Sequence, residues 1–110
     1  VGEALEYVNV HMTEDISVQD IADALNVSRY YLSHAFKKST GYGLWNYVIS
    51  KRLVYSQKLL AEGASVTEAC YESGFKDYAH FIKSFTKTFG CSPKQYGKSD
   101  DSIYMVKLNL

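Results

Sequence analysis

Proline is nearly missing from this sequence: the one copy, Pro93, lies close to the end of a 110-residue chain. Without prolines in its body, and with few stretches alternating apolar and polar residues, the chain favours helices over strands. No apolar run approaches the ~20 residues that a membrane span requires, and no signal-peptide pattern opens the chain. A soluble, cytoplasmic protein is expected. The first residue is Val1 and not Met, which leads to the expectation of a fragment or a processed chain. Only two cysteines occur, Cys70 and Cys91, with no CxxC pair, so two free thiols in a reducing compartment are expected. His11, His34 and His80 lack the spacing of metal ligands, and no nucleophile motif or glycine-rich phosphate loop is present. Neither an enzyme nor a bound metal or cofactor is expected.

Net charge is missing as well, with 12 Lys or Arg against 12 acids. The distribution matters more than the total. Residues 1–28 hold six acids (Glu3, Glu6, Glu14, Asp15, Asp20, Asp23) and no Lys or Arg. Residues 29–98 hold eleven Lys or Arg against four acids. Exposed charges are screened beyond about 8–10 Å, so a neutral average leaves room for a basic surface facing a polyanion.

What the chain does contain is an internal repeat. Ser17-Val18-Gln19-Asp20-Ile21-Ala22 corresponds to Ser65-Val66-Thr67-Glu68-Ala69-Cys70 at an offset of 48. One extra residue in the second copy then moves the offset to 49, pairing Leu32 with Phe81, Phe36 with Phe85, Gly41 with Gly90 and Tyr47 with Tyr96. Each copy reads as a short helix, a tight turn and a second helix closed by glycine, which is the layout of a helix-turn-helix. About seven helices are expected. The first covers residues 3–12, with Ala4, Leu5, Val8 and Met12 on one face. Ser17 caps a helix over 18–25, and Asn26-Val27 makes the turn. Ser28 caps a helix over 29–40 whose apolar stripe is Leu32, Ala35 and Phe36, and Gly41 ends it. A long helix follows over 44–61, about 27 Å at 1.5 Å per residue, with Tyr47, Val48, Leu53 or Val54, Leu59 and Leu60 as core candidates. The second copy places helices at 66–72 and 78–89, the latter capped by Asp77. A last short helix starts at Pro93, whose missing N–H is harmless in a first turn. Residues 103–110 are apolar without helical phase, and a frayed or short extended tail is expected there.

With these residues in view, the chain resembles the AraC/XylS family of bacterial transcription regulators over residues 3–97. The strongest part is Gly74-Phe75-x-Asp77-x-x-His80-Phe81-x-x-x-Phe85-x-x-x-Phe89-Gly90-x-Ser92-Pro93-x-x-Tyr96, with Ile21-Ala22, Leu32, Phe36, Arg52-Leu53 and Leu59-Leu60 supporting it. The resemblance implies an all-α domain of two helix-turn-helix subdomains joined by a long linker helix, with the second helix of each unit entering a DNA major groove. It implies segments at 3–43 for the first unit, 44–62 for the linker helix, 63–98 for the second unit and 99–110 for a tail. Double-stranded DNA is then the partner. A sensor or dimerisation domain N-terminal to this segment and RNA polymerase are further candidates. The chain departs from the family pattern where Ala69-Cys70 replaces an Ile-Ala pair and where Lys83 and Gly97 stand in place of the arginines usual there. Lysine lacks arginine's planar fork to guanine.

Candidate DNA-binding residues follow from helix phase. On the first recognition helix these are Arg29, Tyr30, Ser33, His34, Lys37 and Lys38, with Tyr30, Ser33 and His34 suited to bases and the two lysines to phosphate. On the second they are Tyr78, Ala79, Ile82, Lys83 and Lys87. Ile82 is open to two readings, contact with a thymine methyl or closure of the core. Tyr31 is expected to pack against the first helix and His80 to be a packed histidine. If the long helix holds the two reading heads rigidly, their grooves should lie about one helical turn, ~34 Å, apart. A rival reading is a protein-docking platform that uses the acidic first helix. Duplex binding that falls steeply with salt separates the two.

Overall fold

The computed structural model describes residues 1–98, and the expected tail at 99–110 lies outside them. The described residues form seven α-helices: α1 Gly2–His11, α2 Val18–Ala24, α3 Arg29–Thr40, α4 Leu44–Ala61, α5 Val66–Glu72, α6 Tyr78–Phe89 and α7 Pro93–Lys98. They divide into two compact units, the first ending at Arg52 and the second starting at Leu53, so the division falls inside α4.

In the first unit side chains set the starts of α2 and α3, while α1 begins without a side-chain cap. The Ser17 backbone N–H donates to Asp20 Oδ2 at 2.8 Å while the Asp20 N–H donates to Ser17 Oγ at 3.1 Å, a reciprocal box that satisfies two orphan donors of α2. Ser28 Oγ accepts from the Tyr31 N–H at 3.0 Å and starts α3. Between α2 and α3 the chain turns through Asn26 at φ +58, and the Val27 N–H reaches back to the Ala22 carbonyl at 3.0 Å. Asparagine is one of the few side chains that accept this left-handed backbone. Ala4, Val8, Ile16, Ile21, Ala22, Leu32, Phe36, Leu44 and Val48 form the core. The Phe36 and Tyr47 rings meet at 5.7 Å between centroids.

The second unit repeats the plan. Ser65 and Glu68 form the same reciprocal box at the start of α5, and Gly74 at φ +104 occupies the place of Asn26. The Phe75 N–H donates to the Cys70 carbonyl at 3.1 Å, matching the Val27 bond. The extra residue of the second copy is Lys76, inserted between that turn and the Asp77 cap, whose Oδ1 accepts from the His80 N–H at 3.0 Å. The core here is more aromatic than in the first unit. Phe81 stands 5.1 Å from Phe75 and 5.8 Å from Phe85, and Phe85 stands 5.9 Å from Tyr96, as ring centroids. Ser92 and Gln95 form a third reciprocal cap, opening α7.

Several expectations need correcting. Tyr31 lines a cavity beside Glu3 and Ala4 of α1, as an approach to the first helix requires, but it is 62% exposed and stays outside the core. It precedes Leu32 on α3, and one residue turns about 100° around a helix, which takes it off the stripe of Leu32 and Phe36. His80, equivalent to Tyr31 at the offset of 49, is exposed for the same reason, although its ring meets the edge of Phe75 at 6.0 Å. Ala35 is half-buried. On α4, Leu53 is buried and Val54 is 57% exposed. Cys70 and Cys91 are both buried, and neither is in a disulfide, which agrees with the expectation of two thiols. Burial pushes the Cys70 thiol above its ordinary value, and the negative charge of Asp77 adds to that.

Candidate nucleic-acid interface

The buried pair on each second helix decides which face that helix offers. Leu32 and Phe36 are 6% and 1% exposed on α3, and Phe81 and Phe85 are fully buried on α6. With those side chains turned into their own unit, the opposite face is left to solvent. On α3 it carries Tyr30, His34, Lys37 and Lys38, all exposed, with Ser33 half-buried at its margin, and Arg29 is exposed at the first position of the helix. Tyr30 is 74% exposed. One turn apart, Tyr30 and His34 place their rings 4.1 Å from each other, so two side chains with hydrogen-bonding tips share one platform.

On α6 the equivalent face carries Ala79, Lys83 and Lys87, all exposed, with Ile82 half-buried, and Tyr78 is exposed at the first position of the helix. The Thr86 hydroxyl donates to the Ile82 carbonyl at 2.8 Å, so its hydrogen is already committed to the helix. Of the sequence-predicted site residues, six are on α3 and five on α6, and all but the half-buried Ser33 and Ile82 are exposed. Arg29 and Tyr78, three and seven residues before the buried pair, lie in its phase and owe their exposure to their place at the start of the helix. Both helices end in left-handed glycines, Gly41 and Gly90, with their lysines in or near the last turn: Lys37 and Lys38 on α3, Lys87 on α6.

Arg52 was not singled out as a working residue, yet it is 5% exposed. Its Nε donates to the Met12 carbonyl at 2.6 Å and Nη2 to the Glu14 carbonyl at 3.0 Å. Its guanidinium carbon also lies 5.3 Å from the centre of the Trp45 ring. Burial lowers its pKa from the ordinary arginine value, and the charge of Asp15 acts in the opposite direction. Arg52 thus ties α4 to the loop that leads into α2, the helix against which α3 is set. The signal was present in the spacing, since Arg52 lies four residues after Val48 and four before Ser56, both buried. Among the described residues no group of three or more His, Cys, Asp or Glu could hold a metal ion. No helix among them is long and apolar enough to cross a membrane.

Known proteins share this arrangement. A family profile described as a helix-turn-helix domain matches residues 21–99. The regulatory protein PocR of Salmonella typhimurium is 32% identical over 95 residues, covering 86% of this chain and 31% of that protein. The chain thus spans about a third of the length of that relative. The C-terminal domain of the two-component response regulator yesN from Fusobacterium nucleatum superposes with a TM-score of 0.81 at 28% identity, covering 86% of this chain and 94% of that one. A probable AraC family transcriptional regulator from Rhodopseudomonas palustris superposes with a TM-score of 0.75 at 27% identity, covering 84% and 89%. A profile match across most of the chain, on a fold that repeats the helix-turn-helix in each unit, places the chain in the AraC/XylS family of transcription regulators, as a DNA-binding domain.

Proposed function

We propose that the chain binds duplex DNA sequence-specifically by placing α3 and α6 each in a major groove. The observation that supports this reading is the repeated helix: a buried pair at the same two positions leaves equivalent exposed positions, which include Arg29, Lys37 and Lys38 on α3 and Lys83 and Lys87 on α6. Tyr30, Ser33 and His34 on α3 and Lys83 on α6 address base edges, while Tyr78, Ala79 and Ile82 line the groove beside them. Arg29, Lys37, Lys38 and Lys87 neutralise phosphates and set register. The working segments are 3–43, 44–62 and 63–98. The role is binding without catalysis, in the bacterial cytoplasm, as part of a regulator completed by a sensor or dimerisation domain and acting on RNA polymerase.

Selection from a randomised duplex pool, followed by footprinting of the enriched sequence, tests the reading. Enrichment of one sequence with two protected patches is expected, and removing the α3 side chains (Tyr30→Ala with His34→Ala) should erase one of them. A single short patch overturns the two-helix reading. No enrichment, with no salt-dependent binding to DNA, overturns the DNA reading and favours protein docking.

A further inference from the structure

The two recognition helices have the same length, a side-chain N-cap (Ser28 or Asp77), a glycine C-cap and the same pattern of burial, so each position of α6 has an internal control on α3. At the offset of 49, Tyr30 corresponds to Ala79, Ser33 to Ile82, and Lys37 to Thr86. Ser33 and Ile82 are both half-buried. The fold therefore accepts a hydroxyl at this position in one unit, and closing the core does not by itself call for the four-carbon side chain at the other. Ala79 is exposed where the first unit has a tyrosine that is 74% exposed. Thr86 has its hydroxyl hydrogen bonded to the Ile82 carbonyl at 2.8 Å, which leaves its methyl as the unengaged part of the side chain. Ala79, Ile82 and Thr86 fall at i, i+3 and i+7, along one side of the helix. The corresponding side of α3 carries a phenol, a hydroxyl and an ammonium.

From this contrast, and resting on the reading that α6 enters a major groove, we infer that α6 reads the C5-methyl group of pyrimidines, thymine in unmodified DNA, through an apolar strip centred on Ile82. The first unit instead reads hydrogen-bonding edges. In the major groove the thymine methyl is the apolar group that base pairs display, and small aliphatic side chains are its partners. A polar side chain at position 82 would compete for hydrogen bonds with the base edges, while isoleucine recognises the methyl by burial alone. The halves of the binding site are thereby chemically distinct, which gives the domain a fixed direction on DNA.

The test uses the whole chain and the duplex it enriches from a randomised pool. Each thymine is replaced in turn by deoxyuridine, which removes the methyl and keeps every hydrogen-bonding group. Affinity is expected to fall roughly three- to fivefold at one or two thymines in the patch that α6 protects. In the Ile82→Ser chain, which copies the first unit's residue, the same replacements should have no effect. Deoxyuridine without effect at every thymine, or an enriched patch for α6 that contains no thymine, overturns the inference while leaving DNA reading intact. Persistence of the deoxyuridine effect in Ile82→Ser overturns the assignment to Ile82. The replacements made against the unaltered chain keep the test valid even if Ile82→Ser folds poorly. A chain that enriches no duplex at all fails at the earlier step, the DNA reading itself.

Discussion

Phe36 and Phe85 occupy equivalent places 49 residues apart and are 1% and 0% exposed. Each follows the other buried side chain of its helix by four residues, so each holds a recognition helix against its own unit. Truncation to Ala should destabilise by about 3–5 kcal/mol, through lost burial and the cavity left behind. Tyr30→Ala should leave stability nearly unchanged, since that side chain is 74% exposed. Urea unfolding of the three variants checks the phase of both helices, and a Phe36→Ala chain as stable as the parent would show the faces to be misassigned. Arg52 works differently, through two backbone carbonyls 38 and 40 residues away. Arg52→Ala strands both carbonyls and should lower stability by about 2–3 kcal/mol. Arg52→Lys should recover part of this, because a single ammonium cannot reproduce the spread of a guanidinium. A parental unfolding midpoint for Arg52→Ala would remove its positioning role. The phenylalanines were legible in the sequence because apolar spacing reports burial. Arg52 was legible only in its phase, four residues after Val48, because an arginine in a helix ordinarily reads as solvated and its partners are main-chain atoms with no residue signature.

Helix ends were the most legible elements, and the reason is local chemistry. Ser17, Ser28, Asp77, Gly41 and Gly90 act within three or four residues of themselves, so nothing distant can override them. The position of the inserted residue was less legible. Asn26 and Gly74 answer the same backbone demand with different side chains, and only the matched Val27 and Phe75 bonds place the insertion at Lys76. The cap of α5 makes a prediction about acid. The Ser65 backbone N–H donates to Glu68 at 2.9 Å, and this bond, helped by the Ser65 hydroxyl, holds the Glu68 carboxyl below its ordinary value. A carboxyl lowered on folding contributes stability in full above its unfolded value of about 4.3, and the contribution disappears as pH falls through the folded value. Glu68→Gln can still accept the bond but does not titrate. Its stability should therefore fall less than the parent's between about pH 5 and about pH 3. Equal acid slopes for the two chains in denaturant titrations would show that the bond does not favour the ionised form.

At the scale of the whole molecule, a net charge of zero coexists with eleven cations between residues 29 and 98. Composition alone would have argued against a polyanionic partner. The order of the charges argued for one, and the exposure of Arg29, Lys37, Lys38, Lys83 and Lys87 bears on which of them can reach it. What sequence order does not carry is the division between cations that neutralise phosphate and side chains that read bases, because both kinds lie on the same exposed face. Salt separates them. Each phosphate contact releases condensed counterions, so the logarithm of the binding constant falls with the logarithm of salt by about 0.9 per contact on B-DNA. Lys37→Ala and Lys87→Ala should each flatten that slope by about one unit and weaken binding to enriched and random duplexes alike. Because the two lysines belong to different units, the double variant should flatten it by about two. His34→Ala and Lys83→Ala should instead lose about 1–3 kcal/mol on the enriched duplex, with little change on random DNA. Fluorescence anisotropy titrations across a salt series on both duplexes measure all of these at once. If all four single variants weaken both duplexes equally, the assignment of His34 and Lys83 to base edges is wrong, and α3 and α6 grip DNA without distinguishing its sequence through these side chains.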